Sequence, residues 1–390
     1  MRQVGLPLFF LFLPYFIFVY AAEKPLYEGR FDTKSTGVFL PIKIEGKACK
    51  FLFDTGASFV VLDKKFRPLL GKALSLKETQ ARTGIAYNSK KILTPNGEIL
   101  LELFKSVPLK LGRLQVANRF PYILADLQSL WPFSGVKFCG VLGTSFLHQF
   151  RWEINFDKGE IKAYVGEEPY MGEYSSRKRI YWSKAHIPYV GVDLQGHEIA
   201  FDIDLGDNGS GRMLKENILF LKERGEVIKT QIQDVVTVSS LSQSEEFRLD
   251  SFRFANVNYP GLVMQESQQN ALGLAFFKRH NMILDFPFNM LYLQHHKNYA
   301  QREELNKSGM RLLLKEKKVI VFNVDPRGAA SVEGIQKDDE VVTVNGKRDL
   351  SLYEVRQLLR GKTGERLSFG MKRHEDVFQA NITLGKDPLE

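Results

Sequence analysis

The chain has 390 residues, too many for one ordinary domain and enough for two or three, each with a sizeable core. Hydrophobic residues make up 44% and charged residues 25%, a globular balance that excludes a largely disordered chain. The formal charge of +9 is spread out, with short clusters only at Arg177 to Arg179 and Lys315 to Lys318. With no zinc-ligand spacing, no interleaved aromatic and basic motif and no phosphate loop, this excludes nucleic acid as a serious partner.

At the N-terminus Arg2 precedes an apolar run from Val4 to Tyr20, closed by Ala21 and Ala22 before Glu23. It reads as a secretory signal peptide over residues 1–22, with an uncleaved membrane anchor as the alternative. No comparable run follows, so the mature chain is expected to be soluble, without a stable membrane span, and exported to the periplasm or the extracellular space. Cys49 and Cys139 are few cysteines for an exported protein. Two separate buried thiols are expected, with a single bridge as the alternative.

Val38 to Glu45, a glycine turn at Gly46 and Ala48 to Phe53 predict a hairpin that runs into Asp54-Thr55-Gly56-Ala57-Ser58. From Ser75 to Glu98, polar residues with Gly84, Pro95 and Gly97 predict a long mobile loop or hairpin. Strand patterns resume at Ile99 to Leu111 and Phe120 to Leu124. Gly140 to Gly143 then leads into a short helix over Thr144 to Phe150 and a strand from Trp152, closing a first unit over residues 31–165. Gly166 to Lys184 is expected to be a connection.

Residues 186–295 repeat that unit in outline. Gly46 stands eight residues before Asp54 and Gly196 eight before Asp204; Phe51 to Gly56 lines up with Phe201 to Gly206. Val141-Leu142-Gly143 matches Ala271-Leu272-Gly273, and Ile154-Asn155-Phe156 matches Leu284-Asp285-Phe286.

An Asp-Thr-Gly directly after an apolar strand, with a later Val-Leu-Gly, resembles the retropepsin-like and pepsin-like aspartic peptidases over roughly Phe31 to Leu293. The resemblance implies a mainly β fold: two tandem retropepsin-like β-barrel lobes forming a pseudo-dimeric acid-protease fold, the second lobe degenerate. It implies Asp54 and Asp204 as catalytic residues. Two carboxylates about 3 Å apart cannot both ionise, so they share one proton and divide the roles of acid and base. Gly56 and Gly206 would let backbone pass close to the carboxylates, Thr55 would brace the two aspartate loops, and Ser58 would orient Asp54. Leu205 cannot return the brace of Thr55, and Asn208, standing at the place of Ser58, is expected to donate its amide to Asp204. Ala57 and Asp207 would line the substrate cleft, where Asp207 would favour Lys or Arg beside the scissile bond or raise a neighbour's pKa, with a solvated loop residue as the alternative for Asp207. Ala81 to Glu98 is the candidate flap, with Tyr87 inviting comparison to a flap tyrosine. No metal or other cofactor is expected.

Residues 306–386 resemble a PDZ domain, a small α/β module, through Val319 to Val324, Gly328-Ala329-Ala330, Gly334-Ile335 and Asp338 to Gly346. Asp338 stands where the family usually has glycine. Leu352, Val355, Leu358 and Leu359 mark one face of a helix. The resemblance implies that Gly309, Met310, Arg311 and Leu312 receive the carboxylate of a C-terminal peptide tail, with Met310 and Leu312 supplying an apolar pocket.

The sequence therefore points to a monomeric aspartic endopeptidase with PDZ-assisted recruitment of peptide or protein substrate. The competing readings are a catalytically decayed peptide-binding protein and a peptidase active only as a first-lobe homodimer. Asn-x-Ser/Thr sequences at Asn208, Asn306 and Asn381 are glycosylation candidates in a eukaryotic host.

Overall fold

A computed structural model describes residues 24–83, 91–94, 97–100, 102–116, 120–165, 174, 176–236 and 241–390. The expected signal peptide and Tyr87 lie outside the described residues. No helix among those described is long and apolar enough to cross a membrane.

The chain is mainly β, with a C-terminal PDZ domain. Strands Phe39–Ile44 and Lys47–Phe53 pair antiparallel around Glu45 and Gly46, both at positive φ (45° and 80°). Positive φ at both central positions is the turn whose twist matches a two-residue hairpin, and the second position takes glycine at least cost. The same device recurs at Gln195 and Gly196 (φ 54° and 87°) between Pro188–Leu194 and His197–Asp204. Each hairpin delivers its second strand to an aspartate.

The pairing beyond each aspartate is also shared. Gly140–Leu142 runs parallel to the Asp54 strand and antiparallel to Val60–Asp63. Ala271–Gly273 runs parallel to the Asp204 strand and antiparallel to Gly211–Leu214. Each half builds an eight-stranded sheet on this frame. A six-stranded sheet joins the halves, with Arg151–Asn155 of one paired antiparallel to His280–Asp285 of the other. Trp152, fully buried, packs edge-on against Phe53 at 5.0 Å and donates to the Leu147 carbonyl at 2.9 Å, tying this shared sheet to the Asp54 strand. Burying a side chain of this kind contributes about 1.5–3 kcal/mol.

Several expectations are corrected. Cys49 and Cys139 form a disulfide with Cα atoms 6.0 Å apart, rather than two separate thiols. The pairing of Gly140 with Phe51 explains it: the register carries the preceding residue beside the Asp54 strand, where Cys139 N also donates to the Lys50 carbonyl at 2.9 Å. Leu76–Thr83 is a helix within the segment read as a loop, started by a capping box in which Ser75 and Glu78 exchange hydrogen bonds. Ser176–Arg179, expected to be connection, is an edge strand of the shared sheet, and Tyr27–Arg30 forms the opposite edge before the first unit's expected start.

The PDZ domain has one five-stranded sheet with Met310–Lys315 at its edge. Helix Leu352–Leu358 lies beside that edge, begun by a capping box of Ser351 and Glu354, and buries Leu352 and Val355 as the periodicity predicts. Asp338 takes φ 71°, the conformation that favours glycine. The Asn298 to Lys307 connection is clamped on the second half. Arg248, fully buried, donates to the carbonyls of Gly261 (2.7 Å), Glu303 (2.8 Å) and Leu389 (3.3 Å) and pairs with Asp387 (2.7 Å).

Candidate functional site

Asp54 and Asp204 end matching strands and meet where the two halves join. A Cβ on Gly56 would collide with the Asp204 carboxyl, and a Cβ on Gly206 with the Asp54 carboxyl, so each glycine is the space that admits the opposing aspartate. The carboxyl groups are within hydrogen-bonding reach of each other. Gly56 N–H donates to Asp54 Oδ1 at 2.8 Å; Gly206 and Asp207 N–H donate to Asp204 Oδ1 at 3.0 and 3.1 Å. Thr55 Oγ1, fully buried, donates to the Ile203 carbonyl at 2.5 Å and accepts from Leu205 N–H at 3.0 Å. The Leu205 side chain, fully buried too, has no polar atom with which to return the brace.

The sequence did not single out Arg212. This arginine ion-pairs with Asp204 through Nη2, and its Nε lies 3.2 Å from Asp207 Oδ2. All three side chains are largely shielded, at 11%, 11% and 16% exposure for Arg212, Asp204 and Asp207. The pairing of Val141 with Val61 in one half and of Ala271 with Arg212 in the other shows that Arg212 takes the place of an aliphatic residue. The available signal was a lone charge inside the buried strand Gly-Arg-Met-Leu.

Asn208 does not take the role expected of it. Thr144 and Ser145 N–H bond the carbonyls of Ala57 and Ser58, while Leu274 and Ala275 N–H bond those of Asp207 and Gly209. Gly209 therefore corresponds to Ser58, and Asn208 is one extra residue, exposed and without a hydrogen bond to Asp204 among the described residues. The side chain that reaches the Asp204 carboxyl is instead that of Arg212, from the following strand. Ser58 contributes its carbonyl to Ser145 and Thr144, and no hydrogen bond joins its hydroxyl to Asp54 among the described residues. Ala57 packs its side chain on the cluster of Phe39, Leu127, Phe138 and Val141. Asp207 is not a solvated loop residue, since Oδ1 accepts from Gly209 N–H at 2.9 Å and Oδ2 faces Arg212.

Four carboxyl groups thus act on one guanidinium, Asp204 and Asp207 by ion pairs and Asp54 and Asp202 through their charge. Burial, and then the charge of Asp204, push the Asp54 carboxyl well above the usual range, opposed by the Gly56 N–H and Arg212. Burial and Asp204 push Asp202 up to about 7. Burial raises Asp207 as well, against the pull of Arg212. Burial disfavours the charged form of Arg212, but the attraction of Asp204, Asp207, Asp54 and Asp202 outweighs it and raises its pKa.

In the PDZ domain, Gly309 takes φ 78° and presses against Gly328, leaving no room for a side chain. Met310 and Leu312 are buried in the domain core, so the apolar pocket expected of them is closed. Met310 N–H bonds Ser308 Oγ at 3.1 Å and its carbonyl accepts from Asn306 Nδ2 at 2.6 Å. Arg311, between them, is partly buried.

Comparison with known families agrees with both motifs. Residues 40–146 match the aspartyl protease family and residues 302–384 the PDZ domain family, so the chain carries a domain of each kind. No curated protein matches. Among solved structures, one similar chain is the photosystem II D1 C-terminal processing protease, at 21% identity and a TM-score of 0.22. The match covers 24% of this chain and 27% of that one, about a quarter of either.

Proposed function

We propose that the chain is an aspartic endopeptidase whose centre is the pair Asp54 and Asp204, in a pseudo-dimeric arrangement of two tandem lobes. The observation that carries this reading is the mutual approach of Gly56 and Gly206 to the opposing carboxyl groups, which brings one aspartate from each half together.

A water held between the carboxyls would attack the peptide carbonyl. Asp54, whose proton burial and a negative neighbour retain, donates toward the carbonyl oxygen as charge develops there. Asp204 accepts the proton of the attacking water. Burial and the charge of Asp204 keep the singly protonated pair above the usual carboxylate range, and Arg212 limits that rise by offsetting the charge of the acidic cluster. The PDZ domain recruits peptide by adding a strand at the edge of its sheet. Because both aspartates belong to one chain, the active species is a monomer, and the place that a partner's first lobe would occupy is filled by the second half. The N-terminal apolar run and the Cys49–Cys139 disulfide support export to the periplasm or extracellular space.

The Arg212–Asp204 ion pair favours one competing reading, a peptide-binding protein whose second carboxylate is held out of catalysis. Hydrolysis of a mixed peptide library from pH 3 to 8, beside Asp54→Asn and Asp204→Asn, separates the two. Loss of cleavage in both variants supports the single-chain dyad. A folded wild type inert at every pH supports binding alone.

A further inference from the structure

The open edge of the PDZ sheet is not open in this molecule. The short helix Trp131–Ser134 of the first half packs against Met310–Lys315, the edge strand beside helix Leu352–Leu358. Arg356 on that helix donates through Nη1 to the Phe133 carbonyl at 3.0 Å and through Nη2 to the Leu312 carbonyl at 2.7 Å. The second bond occupies an edge-strand acceptor. The Phe133 ring stands edge-on to Phe322 at 5.3 Å, and Gly135 lies against Leu352. Arg356 has carbonyl partners and no acidic one among the described residues, although burial lowers its pKa to about 10. A buried guanidinium met only by carbonyl dipoles gains from a carboxylate in their place.

The same segment is joined to the catalytic half. Trp131 Nε1 donates to the Phe138 carbonyl at 2.8 Å, and Phe138 packs on Phe39 at 5.4 Å within the cluster that supports Ala57, three residues past Asp54.

We propose that residues 131–135 are a resident plug in the groove between Met310–Lys315 and Leu352–Leu358, displaced by a peptide whose carboxylate replaces the Phe133 carbonyl on Arg356. This rests on the reading of the module as peptide-binding. Displacement shifts the support of Ala57 and so couples groove occupancy to the Asp54 loop. The carboxylate belongs either to a free C-terminus or to an acidic side chain, two sources of one chemistry.

The test uses the full chain and fluorescent ten-residue peptides of one apolar sequence. Each has a free or amidated terminus, and Glu or Gln third from the end. Anisotropy should show the carboxylate-bearing peptides binding Phe133→Ala at least ten-fold more tightly than wild type. Arg356→Gln should erase the preference for the carboxylate, and whether the terminus or Glu sets that preference names its source. Hydrogen exchange over 131–139 in wild type should rise when peptide binds. A Cβ at Gly135 would lie 3.7 Å from that of Leu352, within disulfide range, so the oxidised pair Gly135→Cys with Leu352→Cys should not bind. Equal affinity of wild type and a folded Phe133→Ala would overturn the proposal, as would tight binding with unchanged exchange over 131–139 or binding by the locked pair. Every readout is binding or exchange, so a failure here is distinct from a failure of the peptidase reading, which hydrolysis decides.

Discussion

Thr55 and Leu205, the residues that follow the two paired aspartates, stand at matching points of the two halves and contribute unequally. Thr55 Oγ1 bonds both the carbonyl before Asp204 and the amide after it, while Leu205 returns nothing through its side chain. The junction is braced from one side. Thr55→Val keeps the shape and leaves the Ile203 carbonyl and Leu205 amide buried without that partner. A loss of about 1–3 kcal/mol is expected for an unsatisfied buried group. Urea unfolding at neutral pH reads it; a midpoint unchanged from wild type would show that the brace carries no stability.

Arg212 should matter for folding as well as for the site. Arg212→Met removes the cation that pairs with Asp204 and Asp207 among the described residues, and breaking a buried ion pair costs about 3–5 kcal/mol. Without Arg212, the Asp54, Asp202 and Asp207 carboxyls lose an influence that lowers them and rise further. Raised carboxyls favour the fold in acid and cease to do so as pH climbs, so the deficit at pH 7 should exceed that at pH 4.5. Chemical unfolding at the two pH values checks this, and an equal deficit would contradict it.

Asp202 gives a pH signature of its own. Its folded value of about 7 lies above the ordinary 3.8 of an aspartate, so the folded state binds the proton more tightly. That contribution is complete below about pH 4 and is lost as pH rises through about 7. Asp202→Asn should therefore have little effect on Tm at pH 4 and raise it at pH 8. Melting curves across this range decide the matter; an Asn variant with the wild-type slope would assign the titration elsewhere.

The Cys49–Cys139 disulfide closes 90 residues of sequence around the Asp54 loop. A bridge of this span stabilises by about 2–5 kcal/mol, chiefly by restricting the unfolded chain. The Cys49→Ala, Cys139→Ala double variant should melt well below wild type, and reductant should lower the wild-type Tm while leaving the double variant unchanged. Insensitivity of the wild type to reductant would count against the bridge.

What the sequence determined by itself is what is local. Gly46 and Gly196 fix two-residue hairpins that a few positions of backbone geometry specify, and those hairpins set Asp54 and Asp204 at the ends of their strands. The PDZ helix was legible for the same reason, through its periodicity, whereas the capping box of Ser75 and Glu78 lies in a stretch whose polar residues and later glycines read as a loop. Tertiary structure decided whatever depends on residues far apart in the chain. An ungapped reading past Gly206 gave Asn208 the place of Ser58; only strand pairing showed the extra residue and put Arg212 beside Asp204. The Cys49–Cys139 bridge followed from parallel register across the sheet, and the occupation of the PDZ edge by Trp131–Ser134 from the packing of two domains. Turns and caps are short-range balances of backbone strain and hydrogen bonding, written in neighbouring residues; pairing of buried charges and burial of a groove come from surfaces that exist only once the chain has folded.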